Sequence, residues 1–394
     1  MVSLESLVTV VEQILAFAAV YYILTAALNV KAGMTGIPDF GHAMFFAVGG
    51  IVVGNLVAHL VVAIAILTGF IGPEEVATIT GKPGSPSLGM VDDLVLGNNE
   101  KTLNLINNEY LPNSPLTAIT MLLVAIALSL VLGGALGFIA SYPALRLRGE
   151  YLAIMLLTAS EGIRVLVTYT PQVMGATPTV GLFKPRLFAW TPDPPLAATL
   201  FAVLVALLVY LFVESFYNSP SGRLFRAVRD DEDTAKAVGK NIAAVRRDAM
   251  ILGGALAALA GLVYSLNPWL GGSSVAAQSI FDRVLWTFWP WALMILGGMA
   301  SNRGVTIATI IVGALVIGPI RIYKDDIARL LPLEYVGIDE GYFANALEYM
   351  LIALLMLAVI YFRPRGVIPE PPSRTLSLRE IEEVRRKVLS SKEG

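Results

Sequence analysis

Residues 218–247 read NSPSGRLFRAVRDDEDTAKAVGKNIAAVRR, and on either side lies an apolar run long enough to cross a bilayer. No other segment between two hydrophobic runs is as long and as densely charged. It holds seven cations (Arg223, Arg226, Arg229, Lys236, Lys240, Arg246 and Arg247) and four consecutive acids, Asp230, Asp231, Glu232 and Asp233. Ser219-Pro220-Ser221-Gly222 breaks the preceding helix. The acids then precede a helix expected from about Thr234, where negative charge complements the positive helix start. Gly239 interrupts that helix early and Asn241 restarts it. A short ordered helix in a loop between spans invites a soluble partner. A positively charged loop that only sets topology is the plainer alternative.

The rest of the composition agrees with the flanking runs. Of 394 residues, 56% are hydrophobic and only 15% charged, with a mean hydropathy of +0.70. Soluble domains carry roughly a quarter charged residues. The chain has no cysteine, which excludes disulfides, thiolate zinc sites and cysteine nucleophiles. A net charge of −2 points away from nucleic acid, and two histidines, His42 and His59, leave little for a histidine metal site. No Lys or Arg precedes the first apolar run, which argues against a cleaved signal peptide. The class is an all-α polytopic membrane protein.

A spanning helix needs roughly 20 apolar residues. Runs of that kind lie at about Leu7–Asn29, Phe40–Phe70, Pro115–Ala140, Glu150–Thr170, Leu196–Phe216, Ala249–Leu266, Leu285–Ala300, Gly304–Tyr323 and Asn345–Phe362. That predicts nine transmembrane helices, within a range of eight to ten. The glycine-rich second run is either one tilted helix or a broken helix plus another crossing. With nine spans and the amino terminus outside, nineteen of the 28 Lys and Arg fall on the cytoplasmic side and seven on the other. This asymmetry places the segment around 217–248 in the cytoplasm. Residues 1–366 read as one transmembrane domain, with an irregular external loop at 71–114 carrying at most short helices. Residues 367–394 form a cytoplasmic tail. There Ser377-Leu378-Arg379-Glu380 opens a short amphipathic helix with Leu378, Ile381, Val384 and Val388 on one face.

Familiar catalytic patterns are missing. Gly81-Lys82-Pro83-Gly84-Ser85 lacks phosphate-loop spacing, and there is no HExxH, GxSxG or carboxylate cluster at metal spacing. Intramembrane charges are few. Glu161 and Arg164 share a helix face and read first as a structural pair that neutralises itself, with a transport role as the alternative. Glu12, beside Gln13, lines a watery path or reaches the interface. Glycines 33, 36, 41, 49 and 50 serve close helix packing, or break helices beside a pathway.

Several separated patches resemble the inner-membrane permeases of branched-chain amino acid ABC importers, of the LivM type more than the LivH type. They begin with Asn29 to Gly49, carrying Gly33, Gly36 and Gly41-His42-Ala43-Met44-Phe45-Phe46. Leu145-Arg146-Leu147-Arg148-Gly149-Glu150-Tyr151-Leu152-Ala153-Ile154 follows, running on to Glu161 and Arg164. Then come Arg226 to Glu232 with Ala235 to Gly239, the stretch Gly254 to Gly261, Leu296 to Ala314, and the closing Phe362-Arg363-Pro364-Arg365-Gly366. Asp233-Thr234-Ala235-Lys236-Ala237-Val238-Gly239 is similar to the E-A-A-x-x-x-G pattern by which importer permeases dock on their ATPase. Here Asp replaces Glu, Thr replaces the first Ala, and the later I-x-L-P portion is not evident. Asp39 stands where the family commonly has serine, and loop 71–114 is longer than the family's.

The resemblance implies ATPase coupling through Arg226, Arg229, Asp230, Asp233, Ala235 and Gly239. It also implies a translocation pathway bordered by Gly36, Asp39, Gly41, His42, Glu161 and Arg164. The partners it implies are a LivH-like second permease, two cytoplasmic ABC ATPases, an extracytoplasmic amino-acid-binding protein and the lipid bilayer. The chain itself would bind no cofactor and no metal and hold no catalytic residue, with ATP and Mg used by its partners. The location is the cytoplasmic membrane, multi-pass, with a cytoplasmic C-terminus. Three other readings stay open: a superfamily permease for urea, short amides or sugars; an ion-gradient-driven carrier relying on Glu12 or Glu161; and an integral membrane enzyme.

Overall fold

Small residues on one helix decide how the others assemble. In the computed structural model, which describes residues 4–312 apart from 148, 175–181, 273 and 276–279, scattered positions between 343 and 362, and 366–370, six helices are long and apolar enough to cross a membrane. In chain order the elements used below are α1 (Leu4–Leu28), α2 (His42–Leu67), α3 (Pro115–Arg146), α4 (Gly149–Thr168) and α5 (Pro194–Asn218). The short α6 (Pro220–Asp230) and α7 (Glu232–Ala237) lead into α8 (Ile242–Leu266), followed by α9 (Trp289–Gly297) and α10 (Asn302–Ala308). The long ones are α1 to α5 and α8.

The central helix is α8: 83% of its most apolar stretch is buried, against 22% for α3 and α4. Its sequence explains this. Gly253, Gly254, Ala257, Ala258 and Gly261 give it a surface with almost no side-chain bulk. A Cβ on Gly261 would overlap the carbonyl oxygen of Phe46 on α2, and one on Gly137 of α3 would overlap that of Met250. Within a bilayer, where lipid removes the hydrophobic drive between helices, such backbone-to-backbone packing holds them together. Trp286 fills the remaining gap beside α2, stacked on Phe46 at 4.0 Å between centroids and edge-on to Tyr264 at 4.7 Å. By contrast α3, α4 and α5 turn Leu123, Val131, Ile139, Tyr151, Leu204 and Leu208 outward. A surface facing hydrocarbon is built in this way.

The second apolar run is one helix: a π-helical stretch at Val52–Val57 joins its halves without a break. Another π-helical turn, Asn29–Gly33, extends α1. The expected runs 285–300 and 304–323 are described only in part, residues 313–323 lying outside the described residues. Their described parts, Val284–Gly297 and Asn302–Val312, form a pair bent by 116°, so that at most seven spans are counted among the described residues. At the bend Ala300 adopts a left-handed backbone (φ 58°), and its N–H is taken by Asn29 Oδ1 at 2.8 Å. The span expected at 345–362 and the amphipathic helix expected at 377–388 lie outside the described residues, apart from isolated positions in the former. Loop 71–114 folds into short helices that completely bury Leu94, Val95, Leu103, Ile106 and Leu111. Irregular backbone is confined there largely to 81–87. Between the described strands only one pair occurs, Leu182–Phe183 with Ser274–Val275.

A branched side chain at the α2–α8 contact has nowhere to go. Gly261→Val should cost at least about 1–3 kcal/mol through overpacking and lower the thermal midpoint of the detergent-purified protein. An unchanged midpoint would contradict this packing.

Candidate functional site

The charged segment between α5 and α8 is two capped helices rather than one. Ser219 caps α6, its Oγ accepting the Gly222 N–H at 3.1 Å, and Pro220 occupies the first turn. Phe225 and Val228 bury the inner face of α6. Asp231, not the backbone near Thr234, starts α7: its Oδ1 accepts the N–H groups of Asp233 (2.9 Å) and Thr234 (3.1 Å), and its Oδ2 the Thr234 hydroxyl at 2.6 Å. The expected start at about Thr234 is therefore too late. Asp231 breaks out of α6 with an extended backbone and supplies the strongest available N-cap. Bonding to Thr234 holds its carboxyl below the usual aspartate range. Asn241 then caps α8 through the Ala244 N–H at 3.1 Å, as its position suggests.

Two arginines root this element in the helix bundle. Arg246, on the first turns of α8, pairs with Glu232 and donates to the Ala144 carbonyl near the end of α3 at 2.8 Å. Arg229 forks: Nη1 donates to the Gly33 carbonyl at 2.9 Å, while Nη2 donates to Asp230 (2.8 Å) and Glu370 (2.7 Å). Its stem packs at 3.3 Å from where a Cβ of Gly36 would stand, at a left-handed turn (φ 71°). Arg226 lies over the Tyr217 ring at 3.8 Å and reaches Glu370 at 3.3 Å. Of the six residues expected in coupling, Ala235 is buried and anchors α7, while Asp233 and Gly239 are exposed. Gly239 has φ 78° and open space around it.

One turn from that fork sits a fully buried charged cluster. Lys31, inside the π-helical turn, pairs with Asp39 and donates to His42 Nδ1 at 2.9 Å, with its ammonium 4.0 Å from the Phe45 ring centre. Lys31, Asp39 and His42 are each 0% exposed. His42 Nε2 donates to the Leu24 carbonyl at 3.0 Å, and Nδ1 stands 2.9 Å from the Lys31 ammonium and 3.1 Å from Asp39 Oδ2. Asp39 also accepts the Gly41 N–H at 3.0 Å, and its own carbonyl accepts the Trp291 indole N–H at 3.0 Å. A buried ammonium tolerates this site only because a carboxylate and an acceptor nitrogen face it. Gly36, Asp39, Gly41 and His42 thus meet at one junction, on the α6–α7 face of the molecule.

Glu161 and Arg164 are elsewhere. They pair with each other on α4, with Arg164 Nε donating at 2.8 Å and Arg283 at 3.6 Å from the same carboxylate. Gly41 meets α4 at Leu156, so Glu161 is about 7.5 Å further along that helix. Glu12 accepts from the Trp269 indole at 3.2 Å. On the face opposite α6–α7, Lys184 caps the last turn of α8, donating to the carbonyls of Ser265 and Asn267; burial and the neighbouring Arg186 pull its ammonium down to about 7. Sequence reasoning missed Lys31, Glu232 with Arg246, and Glu370. Lys31 counts as a loop cation in a charge tally, and eight residues separate it from Asp39.

Helices of these lengths define a multi-pass α-helical membrane protein, with one charged element held against their ends. The chain belongs to the branched-chain amino acid transport permease family, LivM type. The family model described as "Branched-chain amino acid transport system / permease component" matches residues 10–360. A probable branched-chain amino acid transport permease protein LivM of Methanocaldococcus jannaschii is 32% identical over 378 residues, covering 93% of this chain and 95% of that protein. The high-affinity branched-chain amino acid transport system permease protein LivM of Escherichia coli is 24% identical over 267 residues, 61% of this chain and 55% of the relative. No solved structure matches.

Lys31→Met should destabilise the protein by about 3–5 kcal/mol, because it strands a buried carboxylate. Lys31→Met with Asp39→Ser should recover most of that loss in thermal unfolding of the purified protein; equal losses in the single and double variants would contradict the pairing. The Asp231 cap, with its carboxyl held low, is present above the ordinary aspartate range and is lost as pH falls through its folded-state value. Asp231→Ala should speed amide hydrogen exchange over 232–237 at neutral pH and remove its acid dependence, while leaving exchange in α8 unchanged.

Proposed function

We propose that this chain is the permease subunit of an ATP-binding-cassette importer and that α6–α7 is where a cytoplasmic ATPase docks. The observation that carries this reading is a helix with a locked root and a free tip. At the root, Arg229 holds the end of α1 and Arg246 the end of α3. At the tip, Val238 is 68% exposed, and Asp233, Lys236, Gly239 and Lys240 are exposed beside it. A cleft of about 340 Å³ runs along them, lined by Leu145, Glu232, Ile242 and Arg246 among others. An apolar tip rimmed by charge fits a protein partner better than water.

A docked ATPase that closes on ATP would push the tip, and the two arginines would carry the push to α1 and α3 as a rigid body. The chain does no bond chemistry in this scheme; ATP and Mg belong to the ATPase pair. A LivH-like second permease completes the pathway and an extracytoplasmic amino-acid-binding protein delivers the solute. Branched-chain or related hydrophobic amino acids are the proposed cargo, in line with the names of the relatives. Gly36, Asp39, Gly41 and His42 shape the inner end of the path, and Glu161 with Arg164 a level further out. Residues 366–370 share the α6–α7 face, which favours a cytoplasmic C-terminus.

Gly239→Trp places a bulky ring at a tip where an added Cβ meets nothing within 4 Å, although the left-handed backbone (φ 78°) strains any side chain there. It should insert normally yet cut ATP-dependent leucine uptake in membrane vesicles at least tenfold. Full uptake by the variant would contradict docking at the tip. Uptake abolished by an ionophore but indifferent to ATP would replace the importer with a carrier, and competition by urea, short amides or sugars rather than leucine would change the cargo.

A further inference from the structure

Four residues beyond the last glycine of the Phe362–Gly366 patch stands Glu370, a residue that no coupling motif includes. Its carboxylate takes Arg229 Nη2 at 2.7 Å and Arg226 Nη1 at 3.3 Å, and the Tyr217 hydroxyl reaches it at 3.5 Å. These are not loose surface pairs: the side-chain exposures are 24% for Glu370, 18% for Arg226 and 19% for Arg229. A carboxylate shared by two partly buried guanidinium groups fixes geometry more firmly than an exposed pair does. The other end of the segment is fixed as well. Val367 N–H donates to the Leu296 carbonyl at 2.7 Å and Ile368 N–H to the Gly297 carbonyl at 3.1 Å. Gly366, at φ 79°, sits so close to Gly298 that a Cβ would overlap its backbone.

We infer that Glu370 is a positioning residue of the coupling device, and that residues 366–370 are a strut between the α9–α10 bend and α6. By engaging Arg229 through Nη2, Glu370 keeps Nη1 aimed at the Gly33 carbonyl. Without it, Arg229 retains Asp230, whose side chain is 64% exposed, as its remaining carboxylate partner among the described residues. The guanidinium then swings toward solvent and off the end of α1. Arg226 keeps Tyr217 and the Gly222 carbonyl, so α6 stays folded while the transmission contact loosens. The strut also makes the bend and the coupling helix move together.

This inference rests on the importer reading, and the test separates the two. The assembled transporter, with its ATPases and binding protein, is reconstituted in vesicles, and tritiated leucine delivered per ATP hydrolysed is measured. Glu370→Gln should lower that ratio about fivefold, the low end of ordinary coupling effects. Glu370→Asp should restore part of it. A ratio unchanged in Glu370→Gln, including a case where uptake and hydrolysis fall together, overturns the positioning role. The importer reading fails separately, if wild-type uptake does not require ATP at all. Placement of the strut is read independently of transport. In this cysteine-free chain, Leu296→Cys with Val367→Cys should form a disulfide in native membranes on mild oxidation. Absence of that disulfide overturns the strut.

Discussion

A lysine ammonium with no water around it organises this protein's α6–α7 face. Lys31 is buried because the whole π-helical turn Asn29–Gly33 is enclosed by the neighbouring helices. Once inside, it demands a carboxylate and an acceptor, and Asp39 and His42 supply both. That demand ties the end of α1 to the start of α2 within a few residues. The same turn leaves the Gly33 carbonyl available, and Arg229 of α6 uses it. The electrostatic need of one side chain thus fixes the surface on which the charged loop rests.

Two kinds of packing divide the molecule. In the middle, glycine and alanine on α8 let α2 and α3 approach backbone to backbone, and little can move there without overlap. At the α6–α7 face, contact runs through long arginine side chains to carbonyls and carboxylates. Arg229, Arg246 and Arg226 each reach several groups at once. Rigid spans joined by arginine forks suit a machine in which a loop must move helices as units.

Much of this architecture can be read from residues alone, and the exceptions have physical causes. Apolar runs marked α1 to α5 and α8, with ends off by up to seven positions where polar turns extend the helix, as at Ile242 and Arg146, since a bilayer requires continuous apolar length. Hydropathy marked a boundary at 300–304 but not the sharp bend, since it has no term for the positive φ of Gly298 and Ala300. Thr234 was the wrong helix start: two aspartates side by side offer the same charge, and only geometry reveals that Asp231 caps while Asp230 binds Arg229. In the site, Asp39 and His42 were marked only by the resemblance of the patch from Asn29 to Gly49 to the family. Lys31 was not, since a cation at the end of an apolar run ordinarily lies in solvent and sets topology. Long-range partners such as Glu370 leave no local mark at all.

The central claim is that α6–α7 exists to meet an ATPase. Native mass spectrometry of the tagged chain, purified in mild detergent from its own membranes, tests it most directly. The account predicts an assembly of one copy of this chain, one second permease and two ATPase subunits, with the ATPases lost when the α7 tip is altered. A chain that flies alone, or with copies of itself only, while its vesicles still take up solute without ATP, would contradict it.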